Sequence, residues 1–390
     1  MMKRSVLRVV GVLLASAIAP AWYVLGCPFC TSVTRTLSED LATMDAVVIA
    51  QLERLPDSPQ SATATAEQAT PAATFKIVTV LKGDAAIGQQ KTLTTVLPGD
   101  GQRGDKYLVM GTDPPELNWS PPLKLNDRQQ QYLLDLGRLP SAGIERLAFF
   151  QQYIEDSDAM LSRDAYEEFA RAPYAMVKEL KPKLNHDQLV AWIKDPQVTA
   201  SHRRLYFTLL GVCGDQNDLP MLEQRLRSAD AQAKSALDAL IACYLTLRGP
   251  EGLPLIEELF LAKRSGGAGD DYADVFATIM ALRFHGAEGN VVPRQRVLQA
   301  FGLVLDRPQM ADLIIPDLAR WQDWSQLDRL VELFKSADPK TTYVRMPIIS
   351  YVRACPLPAA KLALEEFKKI DPDAVKRSMT FFPAIPKGPN

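Results

Sequence analysis

The chain has 390 residues, 47% hydrophobic and 23% charged, with a formal net charge of −2 and a pI near 6.0. That length suits two or three domains, or one domain followed by an extended array. The balanced charge supplies no basic field for a nucleic acid or an anionic membrane surface.

The first 26 residues read as a signal peptide. Lys3, Arg4 and Arg8 form a positive start, followed by the apolar run Val9–Ala19 and a second apolar patch, Trp22–Leu25. Pro20 breaks that run, which favours an export signal over a membrane-spanning helix. Two processing sites compete. Ala19-Pro20-Ala21 places small residues as a signal peptidase requires, while Val24-Leu25-Gly26-Cys27 has lipobox spacing, with Cys27 as the lipidated end and a membrane anchor. Either way the expected location is the periplasm, the envelope or the exterior, where disulfides persist.

Cys27 and Cys30 form the motif CPFC. Two readings stand: a structural or lipidated pair, and a redox CxxC like that of thiol–disulfide proteins. The redox chemistry needs the first thiolate stabilised at a helix N-terminus behind a strand, and no strand precedes this motif. A structural zinc site needs four ligands and no second CxxC exists. Cys213, Cys243 and Cys355 lie in apolar helical runs, the usual place of an unreactive buried thiol.

Residues 27–125 read as a small β domain. Thr31–Leu41 is polar and helical. Ala46–Ala50 is a β-branched buried strand, Pro56–Ala73 a loop, Thr74–Leu81 an alternating strand closed by Lys82-Gly83-Asp84. Lys91–Leu97 and Lys106–Met110 are further strands, and Trp119–Leu125 is an extended exit. Short strands divided by Gly/Pro turns indicate a small barrel or sandwich. The order resembles the netrin-like OB fold shared with tissue inhibitors of metalloproteinases. Its early cysteines, "A-x-V-V" strand, "F-K-V-x-x-V-x-K-G" strand and "G-x-x-Y-L-V" strand correspond to Cys27/Cys30, Asp45–Ala50, Phe75–Gly83 and Gly104–Val109. The CxxC spacing departs from that family's CxC, so the resemblance implies the fold and no inhibitory residues.

Residues 126–382 are helical. Asn126-Asp127 caps a helix through Leu136, then come Glu145–Ile154, Ala159–Arg171, Tyr174–Leu180 and His186–Lys194. From Arg204 a hairpin pattern recurs, clearest in LPMLEQRL from Leu219 and LPLIEELF from Leu253. Second-helix starts at Leu219, Leu253, Val292, Leu327 and Ala360 are 34, 39, 35 and 33 residues apart. Each follows an apolar helix: Leu205–Cys213, Leu237–Leu247, Tyr272–Phe284, Met310–Trp321 and Val344–Cys355. A recurring hairpin of this length is the mark of a stacked helical repeat, since one hairpin cannot bury both its apolar faces. The variable spacing, and the acidic turn before Ala159–Arg171, resemble HEAT repeats. The resemblance implies an α–α solenoid. Residues 383–390 read as a disordered tail.

Catalytic signatures are absent: there is no HExxH, GxSxG, GxxxxGK[ST] or GxGxxG after a strand. Gly-rich 265–269 lacks the Lys and Ser/Thr of a phosphate loop and reads as a connector. His186, His202 and His285 stand apart from one another and from any Cys at ligand spacing, so no metal and no cofactor are expected. The pairs Glu167-Glu168, Glu257-Glu258 and Glu365-Glu366 read as solvated helix faces. The basic cluster containing Arg203 and Arg204, and the turn containing Trp321 and Trp324, are candidate contacts for a protein partner. The expected function is a non-enzymatic, exported binding protein that uses its helical surface. The alternative is a thiol–disulfide protein using Cys27 and Cys30.

Overall fold

The computed structural model describes residues 28–30, 34–56, 72–262, 271–338 and 342–381. The signal segment, Cys27, most of the Pro56–Ala73 loop, the Gly-rich 265–269 connector and the tail all lie outside them.

The N-terminal part is one antiparallel sheet: β1 (Ala46–Arg54), β2 (Ala72–Lys82), β3 (Thr92–Val96), β4 (Lys106–Thr112), β5 (Asn118–Trp119) and β6 (Leu123–Leu125). The order is β3-β2-β1-β4-β5, with β6 also on β4. The two ends of that path approach each other, since Thr95 Oγ1 on β3 lies 3.3 Å from the carbonyls of Trp119 and Ser120. The sheet is therefore nearly closed, like a small barrel.

The sequence AVVIA explains why β1 is central. Ala46, Val48, Ala50 and Leu52 point into the barrel against Phe75, Leu93, Tyr107 and Val109. Val47 and Ile49 point the other way, onto Leu108, Leu125 and Leu133. A period-2 strand buried on both faces has to be apolar throughout. β2 is pinned at its end by Gly83, whose φ of +87 is open to glycine, and where a Cβ would lie 2.2 Å from the Asp45 carbonyl oxygen. Beside it the Lys82 ammonium donates to the carbonyls of Leu41 and Ala42, at the C-terminus of α1 (Leu37–Thr43).

α1 starts later than the polar segment implied. A capping box between Thr36 and Glu39 opens it, and Thr34–Thr36 are not helical. The short turn α2 (Asp84–Ile87) lies within the sheet region. Helices then follow without further strands: α3 (Asp127–Leu136), α4 (Ile144–Gln151), α5 (Ala159–Arg171), α6 (Tyr174–Glu179) and α7 (His186–Lys194). Asn126 caps α3 with a full capping box, and the Asp158 side chain caps α5.

The rest forms two layers. One contains α8 (Ala200–Cys213), α10 (Leu237–Arg248), α12 (Tyr272–Phe284), α14 (Ile315–Arg320), α16 (Thr342–Ala354) and α18 (Pro372–Phe381). The other contains α9 (Leu219–Leu226), α11 (Leu253–Ile256), α13 (Arg294–Val304), α15 (Leu327–Ser336) and α17 (Pro358–Ile370). α8 packs on α10, α10 on α12, α14 on α16 and α16 on α18, while α9, α15 and α17 pack against the first layer. α11 widens into a π turn through Leu261. The expected single helix Met310–Trp321 is broken: a tight turn, Pro308–Leu313, precedes α14. Pro316 enters at the first turn of α14, where its missing N–H costs no hydrogen bond.

Side-chain ties recur at about the length of one hairpin. Arg204 on α8 pairs with Asp238 on α10, and Arg283 on α12 with Asp317 on α14, each 34 residues apart. His186 meets Asp218, and Tyr132 meets Asp164, each 32 residues apart. One large apolar core runs from Tyr132 to Val375 through both layers. The chain thus combines a small, nearly closed sheet with a long helical region.

Candidate functional site

Within CPFC, the described residues Pro28–Cys30 lie against the helices. Phe29 is buried and stands edge-on to Phe284 on α12, with ring centroids 5.2 Å apart. Phe284 in turn stands edge-on to Tyr174 at 5.0 Å. Phe207 and Gly211 of α8 and Cys243 and Thr246 of α10 complete the slot. Cys30 is disulfide-bonded and half-buried against the helical core. Cys27 lies outside the described residues.

The backbone from Thr34 onward is held by α5. Glu167 Oε1 accepts from the Thr34 amide and hydroxyl at 3.0 and 3.2 Å. Arg171 bridges Glu167 Oε2, Glu39 and the Thr34 carbonyl. Asp164 accepts from the Leu37 amide and from the Tyr132 hydroxyl, both at 2.6 Å. Leu37 is the first residue of α1, so Asp164 satisfies an amide that the helix leaves unbonded and sits at its positive end. Arg146 grips Glu168 with two bonds, at 2.6 and 3.1 Å, and donates to Ser38 Oγ at 2.7 Å.

This overturns the reading of Glu167-Glu168 as a solvated face. Glu167 is 2% and Glu168 9% exposed, because the N-terminal segment lies across the side of α5 they project from. Burial pushes the Asp164 carboxyl up to about 6, against the two hydrogen bonds that favour its charged form.

The basic cluster divides. Arg203 is 1% exposed and is not a surface contact. Its Nη2 donates to the Asp195 carbonyl at 2.7 Å, satisfying the end of α7, and its Nη1 donates to Ser235 Oγ. Arg204 is half-exposed but is engaged with Asp238. Trp321 stacks on Phe301 at 5.8 Å and 4°, beneath the Arg294 guanidinium. Its ring leaves no room for a Cβ at Gly286. Trp324 stands edge-on to Tyr351. Both indoles are half-buried and packed against neighbouring helices.

Each histidine is engaged too. His186 bonds Asp187 and Asp218, which raise its pKa. His202 bonds Glu155 at 2.9 Å and stacks on Tyr166. His285 is buried, bonds the Ala242 carbonyl at 3.1 Å, and is pushed down to about 4 by burial. No group of three metal-ligating side chains occurs among the described residues. Cys213, Cys243 and Cys355 are free thiols, and burial raises the first two above the ordinary range.

An aromatic pair on the apolar helix α12 faces outward. Tyr272 and Phe276, one turn apart, are 47% and 41% exposed and stack on each other at 6.2 Å and 12°. Their exposure distinguishes them from Val275 and Ile279 on the same helix, which are fully buried.

Comparison with family models, with curated proteins and with solved structures finds no match to this chain. No described helix is long and apolar enough to cross a membrane.

Proposed function

We propose that the chain is an exported, non-catalytic binding protein. In this reading a netrin-like, OB-type sheet closes one end of a HEAT-like helical solenoid, and the helices present a surface to a protein partner. The observation that carries it is the stacked Tyr272–Phe276 pair, held outward on a helix whose other face is fixed in the core. Rigid, exposed aromatic side chains give large contact area at small entropic cost, which is why they dominate interface energetics. The ionic ties between successive helices of the first layer support the reading by keeping that face rigid before binding. Export rests on the signal-like first 26 residues, with membrane attachment through a lipidated Cys27 as its anchored variant.

The double variant Tyr272→Ser, Phe276→Ser tests the proposal. Both side chains are nearly half exposed and stack mainly on each other, so the melting temperature should fall by no more than about 4 °C. Retention of crosslinked partner from the native envelope fraction should fall at least tenfold. Unchanged retention would refute the assignment of this face.

The thiol–disulfide reading keeps one observation in its favour, the disulfide at Cys30. Against it stands Phe29, whose burial ties the motif to three helices and restricts approach by a substrate thiolate. Rapid exchange of Cys30 with glutathione in the folded protein would revive that reading.

A further inference from the structure

Three buried arginines of the helical region share one arrangement. Arg203, Arg307 and Arg345 are 1%, 6% and 2% exposed. Each directs Nη2 to a backbone carbonyl: Asp195, Ala262 and Ala337, at 2.7, 2.6 and 2.8 Å. Each directs Nη1 to a residue just before the start of a first-layer helix. For Arg307 that residue is Asp271, preceding α12; for Arg345 it is Asp371, preceding α18 at 2.7 Å. For Arg203 it is Ser235, at 2.7 Å. In two cases a carboxylate neutralises the buried guanidinium, and in the third a hydroxyl stands in its place.

The unneutralised member is also the one beside a second cation. Arg225 of α9 donates to the carbonyls of Ile193 and Ala233. Arg203 and Arg225 both line an open cavity of about 410 Å³ with Lys194, Met221, Asp230 and Gln232. Among the described residues no carboxylate forms an ion pair with Arg203, Arg225 or Lys194, and the hydrogen-bond partners of both guanidiniums are neutral. The nearby carboxylates make no direct pair with these cations, although the charge of Asp195 partly offsets that of Arg203. Asp195 accepts from the Gln197 amide, and Asp230, also in the cavity wall, accepts from the Gln232 amide. Burial lowers the pKa of Arg203, and burial together with the charge of Arg203 lowers that of Arg225. Two adjacent cations with no directly paired carboxylate, offset only by the more distant charge of Asp195 acting on Arg203, are a cost to the fold that an anion would relieve.

We propose that this cavity binds a small organic oxyanion, a phosphate ester or a carboxylate, between the guanidinium groups of Arg203 and Arg225. The donor set fits that class. Guanidinium forks match the planar or tetrahedral oxygens of such groups. The volume lies within the range of small-molecule pockets, and Met221, Pro196 and Ala233 offer an apolar wall for the organic part. The site is independent of the Tyr272–Phe276 face, so either can fail without the other.

Titration of the purified chain with inorganic phosphate and with succinate, at ionic strength held constant with chloride, tests the site. Saturable binding should appear for at least one of them, with a rise in melting temperature of about 3 °C at saturation. Whichever ion binds identifies a phosphate or a carboxylate as the recognised group. Arg225→Gln, at a half-exposed side chain, should weaken binding at least tenfold. Ser235→Asp installs the carboxylate that Arg307 and Arg345 already have. It should abolish binding and raise the melting temperature of the anion-free protein. Absence of a shift beyond chloride with both ions would overturn the proposal. So would phosphate or succinate binding that Arg225→Gln and Ser235→Asp leave unchanged.

Discussion

Asp164 and His285 are two buried groups whose titrations are displaced in opposite directions, and their effects on stability oppose each other. Burial raises the Asp164 pKa from 3.8 to about 6. Between those values the unfolded chain is ionised and the folded one holds its proton, so stability falls as pH rises through the window. Burial lowers the His285 pKa from 6.5 to about 4. There the unfolded chain carries the proton and the folded one does not, so stability rises with pH from about 4 to 6.5. Each pKa unit is worth about 1.4 kcal/mol, so the two slopes nearly cancel between pH 4 and 6. Single variants should separate them. Asp164→Asn keeps an acceptor for the Leu37 amide, and its urea midpoint should fall more steeply on acidification than that of the parent. His285→Gln should show the reverse, a midpoint that rises from pH 6 to 4.5. Parallel pH profiles for parent and both variants would contradict this assignment.

At the scale of the element, the ties between helices differ in strength because their burial differs. Arg204 and Asp238 are partly solvated, with side chains 33% and 15% exposed, and their coupling in a double-mutant cycle should stay below ~1 kcal/mol. Asp317 is 1% exposed against Arg283 at 29%. Removing its partner leaves the buried carboxylate only the exposed Arg320, 3.3 Å away, so that cycle should still give ~2 kcal/mol. Equal couplings would show that position in the array outweighs desolvation. The elements themselves were largely readable in the residues. Alternation marked Thr74–Leu81 and Lys106–Met110, the β-branched run marked Ala46–Ala50, and the 34-residue recurrence marked α9 and α11. What faces a helix was not readable. Glu167-Glu168 sits on an amphipathic helix, and only the fold brings Thr34–Ser38 across it from more than 100 residues away. Arg203 follows Ser201-His202 at a helix start, where charged residues usually meet water. It turns inward because the end of α7 presents the Asp195 carbonyl. Tyr272 and Phe276 carry the same apolar signal as their buried neighbours Val275 and Ile279. Periodicity ranks a helix face by polarity and cannot say which apolar residue the next helix fails to reach.

Across the whole molecule, the sheet and the helices are joined through shared side chains. Leu133 of α3 packs with Val47 and Ile49 of β1, alongside Leu37 and Leu41 of α1. Phe29 packs among residues of α8, α10 and α12. Truncating Leu133 to alanine should cost about 2–5 kcal/mol and speed amide exchange in β1 and α1 as well as in α3. Faster exchange confined to α3 would show that the sheet is anchored elsewhere. A body joined in this way offers a partner a preorganised surface, and the function proposed for the chain depends on that surface at α12. The most direct measurement places a photo-crosslinking amino acid at position 276 in the full chain expressed in its native cell and, as a control, at the exposed position of Leu362 on α17. Irradiation in the native compartment should give a discrete adduct of defined mass from position 276, absent from position 362 and lost on adding Tyr272→Ser. Recovery of only uncrosslinked chain from position 276, or the same adducts from both positions, would contradict the account.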